Sequence, residues 1–273
     1  MNQDIEVLIH FDKIETKHSV QIWCIMSYLL ETFDGCCEIA SIMVETRQKD
    51  SYVANQFAIT DLKILQSMAD SINDNVCFIS FDCQTLKHQR AVGMYACITH
   101  SNALTQPMIK DEQKIAITIS WQAWSAKQNF ILEKILSLCV ADSISYIAID
   151  RVNVAPKSIY TANLRLFSLT AKDFDEEKVI PGIYWGQYLS VNMLNEEMVE
   201  QIKLNYAPEL TYILKKEKTC GLWLQTSTAL DNDTMEQHMR LYSIFDKNTY
   251  TIDNETVKKY RKLQPWLFDR YPL

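Results

Sequence analysis

Apolar and polar positions in this chain keep two different beats, one of two residues and one of three to four, so strands and helices alternate along it. Ile5, Val7, Ile9 and Phe11 alternate with Glu6 and His10, which predicts a half-buried strand. Ser19 is placed to cap a helix over 19–33, with Trp23, Met26, Leu30 and Phe33 on its buried face. Asp34-Gly35 stops it, and 37–45 reads as a second strand. The polar stretch 46–57 reads as a loop, 60–72 as a short helix, and 76–82 and 91–100 as strands.

From Lys114 the opening order recurs. Ile115, Ile117 and Ile119 mark a strand over 114–121; Phe130, Ile131, Ile135 and Leu138 mark a helix over 128–140; a strand follows over 143–150. Residues 151–180 read as a long connection with a strand at 164–169. Next come the glycine-bracketed element 181–190, a helix over 195–204, and paired strands at 210–215 and 220–226. A capped helix over 232–245 and a basic tail with Tyr260 and Trp266 end the chain. The expected fold is α+β, mixed or antiparallel sheets with helices packed on one face, in two halves of similar strand-helix-strand order. The polar segment 101–112 divides them, giving an N-terminal half over 1–109 and a C-terminal half over 110–273.

Composition narrows the function. With 48% hydrophobic and 22% charged residues, the 273-residue chain is globular rather than disordered. Its formal charge of −7 disfavours nucleic acid as a direct partner, because phosphate binding needs a basic face. No apolar run reaches the roughly 18 residues of a membrane span, and the start lacks a leader pattern, so the expected location is the cytoplasm, with no membrane contact. The eight cysteines include no C-x-x-C pair, and most sit in apolar runs as small buried hydrophobes. The five histidines are scattered, and no glycine loop precedes a helix in phosphate-binding fashion. No cofactor or metal is expected.

The charges themselves are unevenly spread. Between 171 and 210 lie Asp173, Asp175, Glu176, Glu177, Glu196, Glu197, Glu200 and Glu209, against Lys172, Lys178 and Lys203, a local charge of −5. These acids surround Tyr184, Trp185 and Tyr188. Acids rimming aromatic anchors fit a surface for a basic protein partner, and Asp173, Asp175, Glu176, Glu177, Tyr188, Glu196, Glu197 and Glu200 are the candidate contacts. The plainer reading makes the aromatics core and the acids solvated helix ends. Asp150, Glu176 and Lys178 also match, loosely, the acid and lysine set of a metal-dependent nuclease. That alternative rests on a short charge run, which is usually a solvated face.

Gly182, Tyr184, Trp185 and Gly186, with the downstream strand Gly221, Trp223 and Leu224, resemble the immunity protein 52 family of bacterial polymorphic-toxin immunity proteins, and also a related type VI immunity family. The resemblance implies a cytoplasmic, non-enzymatic inhibitor that binds a cognate secreted toxin, with a restriction-endonuclease-like nuclease as the partner. It supplies no catalytic residues, and it makes the glycines and tryptophans scaffold. A third reading is a structural interaction module.

Overall fold

The computed structural model describes residues 4–11, 18–33, 38–48, 51–57, 76–84, 90–97, 114–139, 144–151, 183–190, 193–194, 196–205, 211–216 and 219–245. The architecture is α+β, and the chain divides into two compact units, Met1–Ser145 and Tyr146–Leu273. The expected divide at 109/110 lies outside the described residues.

In the first unit the strands run in the order β3 (Ser51–Phe57), β2 (Glu38–Gln48), β4 (Val76–Gln84), β5 (Arg90–Cys97), β6 (Lys114–Ile119), β1 (Ile5–Phe11). Each neighbouring pair is antiparallel. Register explains the core. Ile42, Phe81, Met94, Ile117 and Val7 stand opposite one another in one cross-strand row, and Val44, Ile79, Ala96, Ile115 and Ile9 in the next. All ten are buried, as cross-strand apolar rows on a covered face should be. The opposite face carries Glu6, His10, Ser80, Asp82 and Thr118.

Two helices cover the apolar face. In α1 (His18–Glu31), Trp23, Met26 and Leu30 are buried as their spacing predicts, with Phe33 just past the helix, and the Trp23 ring meets that of Phe81 at 5.5 Å, tilted by 40°. The second helix, α2 (Trp121–Leu138), begins seven residues before its expected start. Ser120 is the reason: its hydroxyl accepts the Ala123 N–H at 3.3 Å, capping a turn that the apolar pattern alone did not reveal. Trp121 is thus helical, and β6 ends at Ile119. The helix is interrupted at Lys127 (φ −136°, ψ 23°). Tyr28 and Ser137 share a hydrogen bond of 2.7 Å between α1 and α2, and the Lys134 ammonium sits 4.3 Å from the Tyr28 ring centre.

One expectation fails outright in this unit. The polar stretch 46–57 is no loop: β2 continues to Gln48 and β3 returns antiparallel from Ser51. A terminal strand of the run needs less apolar surface than an inner one, so its sequence looks like loop. The expected helix 60–72 lies outside the described residues.

In the second unit β7 (Ile144–Arg151) pairs with β8 (Gly186–Ser190), β8 with β10 (Thr219–Gln225), and β10 with β9 (Thr211–Lys216), all antiparallel. Both faces of the β8–β10 pair are buried, Leu189, Leu222 and Leu224 on one and Tyr188 and Trp223 on the other. A sheet covered on both sides reads as a continuous apolar run, which is why period two is faint here. Helices α3 (Glu196–Asn205) and α4 (Met235–Phe245) and a 3-10 turn at Leu230–Asn232 follow in the described part of the unit. The expected strand at 164–169 and the basic tail lie outside the described residues.

Candidate partner-binding surface

Two glycines hold this unit's centre for want of space rather than for unusual backbone angles. Neither Gly186 nor Gly221 adopts the left-handed conformation. A methyl group at Gly221 would overlap the Tyr188 ring, and one at Gly186 would stand 3.1 Å from Cζ2 of Trp223. Tyr188 and Trp223 are directly opposed, and Gly186, Tyr188, Gly221 and Trp223 share one face. Each ring leans along the strand direction over the glycine of the other strand. G-x-Tyr on β8 and G-x-Trp on β10 are therefore two halves of one interlock.

Around it lies a buried polar network. Asp150, at the end of β7, accepts the Arg151 N–H at 2.7 Å on one carboxylate oxygen and the Trp185 N–H at 3.4 Å on the other. The Trp185 carbonyl accepts the Thr226 N–H at 2.8 Å, and its indole N–H donates to Ser227 Oγ at 3.1 Å. The Trp223 indole donates to Gln225 Oε1 at 3.0 Å, and the Gln225 amide donates to the Ser227 carbonyl at 3.3 Å. Tyr184 N–H donates to Gln187 Oε1 at 3.4 Å, and the Tyr184 ring meets Tyr146 edge-on at 6.5 Å. Burial, and then the neighbouring Tyr184 and Asp150, pushes the Tyr146 hydroxyl well above the ordinary tyrosine range. Arg151 closes the rim, bonding the Leu230 carbonyl at 3.1 Å and Asp231 at 2.7 Å.

The network ends on α4. The helix opens with a capping box, in which Thr234 Oγ1 accepts the Gln237 N–H at 3.5 Å while Gln237 Oε1 accepts the Thr234 N–H at 2.9 Å. One turn on, His238 is 1% exposed. Its Nε2 lies 2.8 and 2.9 Å from the two oxygens of Asp233, and its Nδ1 lies 3.2 Å from the Ile183 carbonyl. Thr226 donates its hydroxyl to Asp233. Scatter along the sequence does not separate His238 from the other four histidines. The usable signal was the acid five residues upstream, on the far side of the capping Thr234.

The candidate contact residues separate into two sets. Glu196, Glu197 and Glu200 are exposed on α3, whose inner side buries Met198 and Ile202. Leu204, one turn beyond Glu200, is 75% exposed. Tyr188, in contrast, is 2% exposed inside the interlock, and within this chain it has no surface to offer. Asp173, Asp175, Glu176 and Glu177 lie outside the described residues, as does Gly182. Tyr184, Trp185, Gly186, Gly221 and Trp223 are all interior.

Asp150, the one described member of the metal-nuclease set, is 8% exposed and spends both oxygens on backbone N–H groups. Its partners in that reading, Glu176 and Lys178, lie outside the described residues. Among the described residues no group of three or more His, Cys, Asp or Glu side chains is arranged to hold a metal ion. Burial raises the Cys139 thiol far above the ordinary range, as the apolar setting of the cysteines predicts for that residue. No described helix is long and apolar enough to cross a membrane.

No protein-family model matches the chain, and no curated protein matches it. Among solved structures it is similar to the Pseudomonas aeruginosa T6SS protein PA0821, at 10% identity and a TM-score of 0.56, over 90% of this chain and 73% of that one. At that identity the likeness is one of fold.

Proposed function

We propose that this chain is a non-enzymatic immunity protein of the type VI kind, which binds a cognate secreted toxin in the cytoplasm and blocks it. The carrying observation is the exposed acidic side of α3, where Glu196, Glu197 and Glu200 stand on a helix anchored from beneath by Met198 and Ile202. A rigid helix presenting acids steers a basic partner and costs little ordering on binding. A nuclease toxin suits this surface, because its substrate groove must be basic. The fold shared with a T6SS protein, together with the Gly-x-Tyr-Trp and Gly-x-Trp-Leu elements that resemble the immunity protein 52 family, supports the assignment. Asp173, Asp175, Glu176 and Glu177 add to the acidic balance of this part of the sequence, and the interior glycines and aromatics act as a frame for the unit.

The test is co-expression with the product of the neighbouring gene. The reading expects a stable complex and rescue of cells from that product's toxicity. Replacing Glu196, Glu197 and Glu200 together by lysine should weaken the complex by at least about ten-fold, mostly through slower association. A neighbouring product that is harmless, or that never binds, defeats the assignment. Binding untouched by the triple replacement moves the interface away from α3.

A further inference from the structure

The groove between α3 and α4 holds a charge that attraction of a basic partner does not explain. It has a volume of about 450 Å³ and is lined by Glu197 and Gln201 from α3 and by Arg240, Ser243 and Ile244 from α4. Glu197 and Arg240 are exposed on its two walls, and no ion pair joins them. The Ser243 hydroxyl donates to the Arg240 carbonyl at 2.7 Å, which leaves its oxygen to accept, and Ile244 is half-buried. A surface that only attracts cations gains nothing from a guanidinium in the same groove as Glu197, because that cation opposes the field of α3. The two walls ask for opposite charges. A partner that closes over them takes both groups out of water, and either one left unpaired there is costly.

We infer that this groove seats a segment of the protein partner that brings a carboxylate to Arg240 and a cation to Glu197, and that Arg240 sets the specificity of the contact. The toxin as partner is taken from the immunity reading, on which this seat rests; the demand for an acid on that partner goes beyond it. Arginine suits the role, since its planar guanidinium can hold a carboxylate through two parallel hydrogen bonds, which adds direction to charge. Ile244 offers an apolar contact to the stems of long side chains entering the groove. Steering and selection are thus divided. The exposed acids Glu196 and Glu200 draw a basic surface in, and the groove decides which basic surface stays. A partner with cations alone would set one of them against Arg240 on docking, a repulsive element that excludes wrong partners.

The sign of one substitution separates a seat for paired charges from simple attraction. Association and dissociation rates with the product of the neighbouring gene are measured for the wild type and for Arg240→Gln. The seat expects the replacement to weaken the complex by at least about ten-fold, mostly through faster dissociation. Simple attraction expects the reverse, because removing a cation makes the surface more acidic. Arg240 is exposed, so the variant should melt with the wild type. Amide hydrogen exchange on the wild-type complex reads the same seat with no substitution, and protection should rise at 197–201 and 240–244. Binding that is unchanged or tighter in Arg240→Gln overturns the seat and spares the immunity reading, as does a complex whose added protection leaves both segments untouched. A neighbouring product that never binds defeats both.

Discussion

Of the two described glycines of the second unit, Gly221 has the less room for a side chain. A methyl there meets the Tyr188 ring, whereas at Gly186 it meets only the edge of Trp223 at 3.1 Å. Gly221→Ala should therefore cost about 1–3 kcal/mol by overpacking, and Gly186→Ala less. Urea unfolding of both variants checks the order. Adding Tyr188→Ala to Gly221→Ala should cost less than the two single changes predict, because the first makes room for the second. Strict additivity would mean that the ring and the glycine do not compete. Gly186 and Gly221 stand out in the sequence beside aromatic residues. The reason was hidden, since a demand for space and a demand for backbone angle look identical in one sequence. Tyr188 shows the same limit from the other side: an aromatic among acids looks like a contact, and only register shows that it covers a glycine.

At the level of elements, legibility followed burial. Strands with one covered face, such as Ile5–Phe11, stand out by alternation, and α1 stands out by its three-and-four spacing. The beginning of α2 and the whole of β3 did not, for opposite reasons. The first turn of α2 is set by a side-chain cap at Ser120, and β3 lies at the end of a strand run. The helix expected over 232–245 was readable, but it starts later, at Met235, because Thr234 and Gln237, three apart, satisfy two backbone donors reciprocally. Thr234→Ala should cost about 0.5–2 kcal/mol and fray the first turn, seen as lost amide protection at the start of α4 with its end unchanged. Loss spread evenly through the helix would show that the cap is not what holds that end.

For the whole chain, the strand-helix-strand order beginning at Lys114 was legible, but the neighbours of its first strand were not. Lys114–Ile119 lies between β5 and β1, a placement set by long-range pairing that alternation does not encode. The acidic balance was legible directly, and so was the helix that carries Glu196, Glu197 and Glu200. The interior of the second unit carries a further global consequence. Because Tyr146 keeps its proton when folded past the point where the unfolded chain loses it, stability is complete below the ordinary tyrosine range near pH ~10 and falls as pH rises above it. Tyrosinate absorbance should show a late component that appears together with unfolding, and Tyr146→Phe should remove that component. Its persistence in the variant would assign it to another tyrosine.

The reciprocal cover of Gly186 by Trp223 and of Gly221 by Tyr188 also works like the wards of a key. Sliding β10 along β8 by two residues would keep every side chain on its face, and hydrophobicity alone would barely object. The slide would, however, carry Gly221 away from the Tyr188 ring and set a residue with a side chain in its place. Only one alignment lets both rings lie down. A pair of small gaps thus excludes the misthreaded sheets that an apolar, doubly covered strand pair would otherwise tolerate.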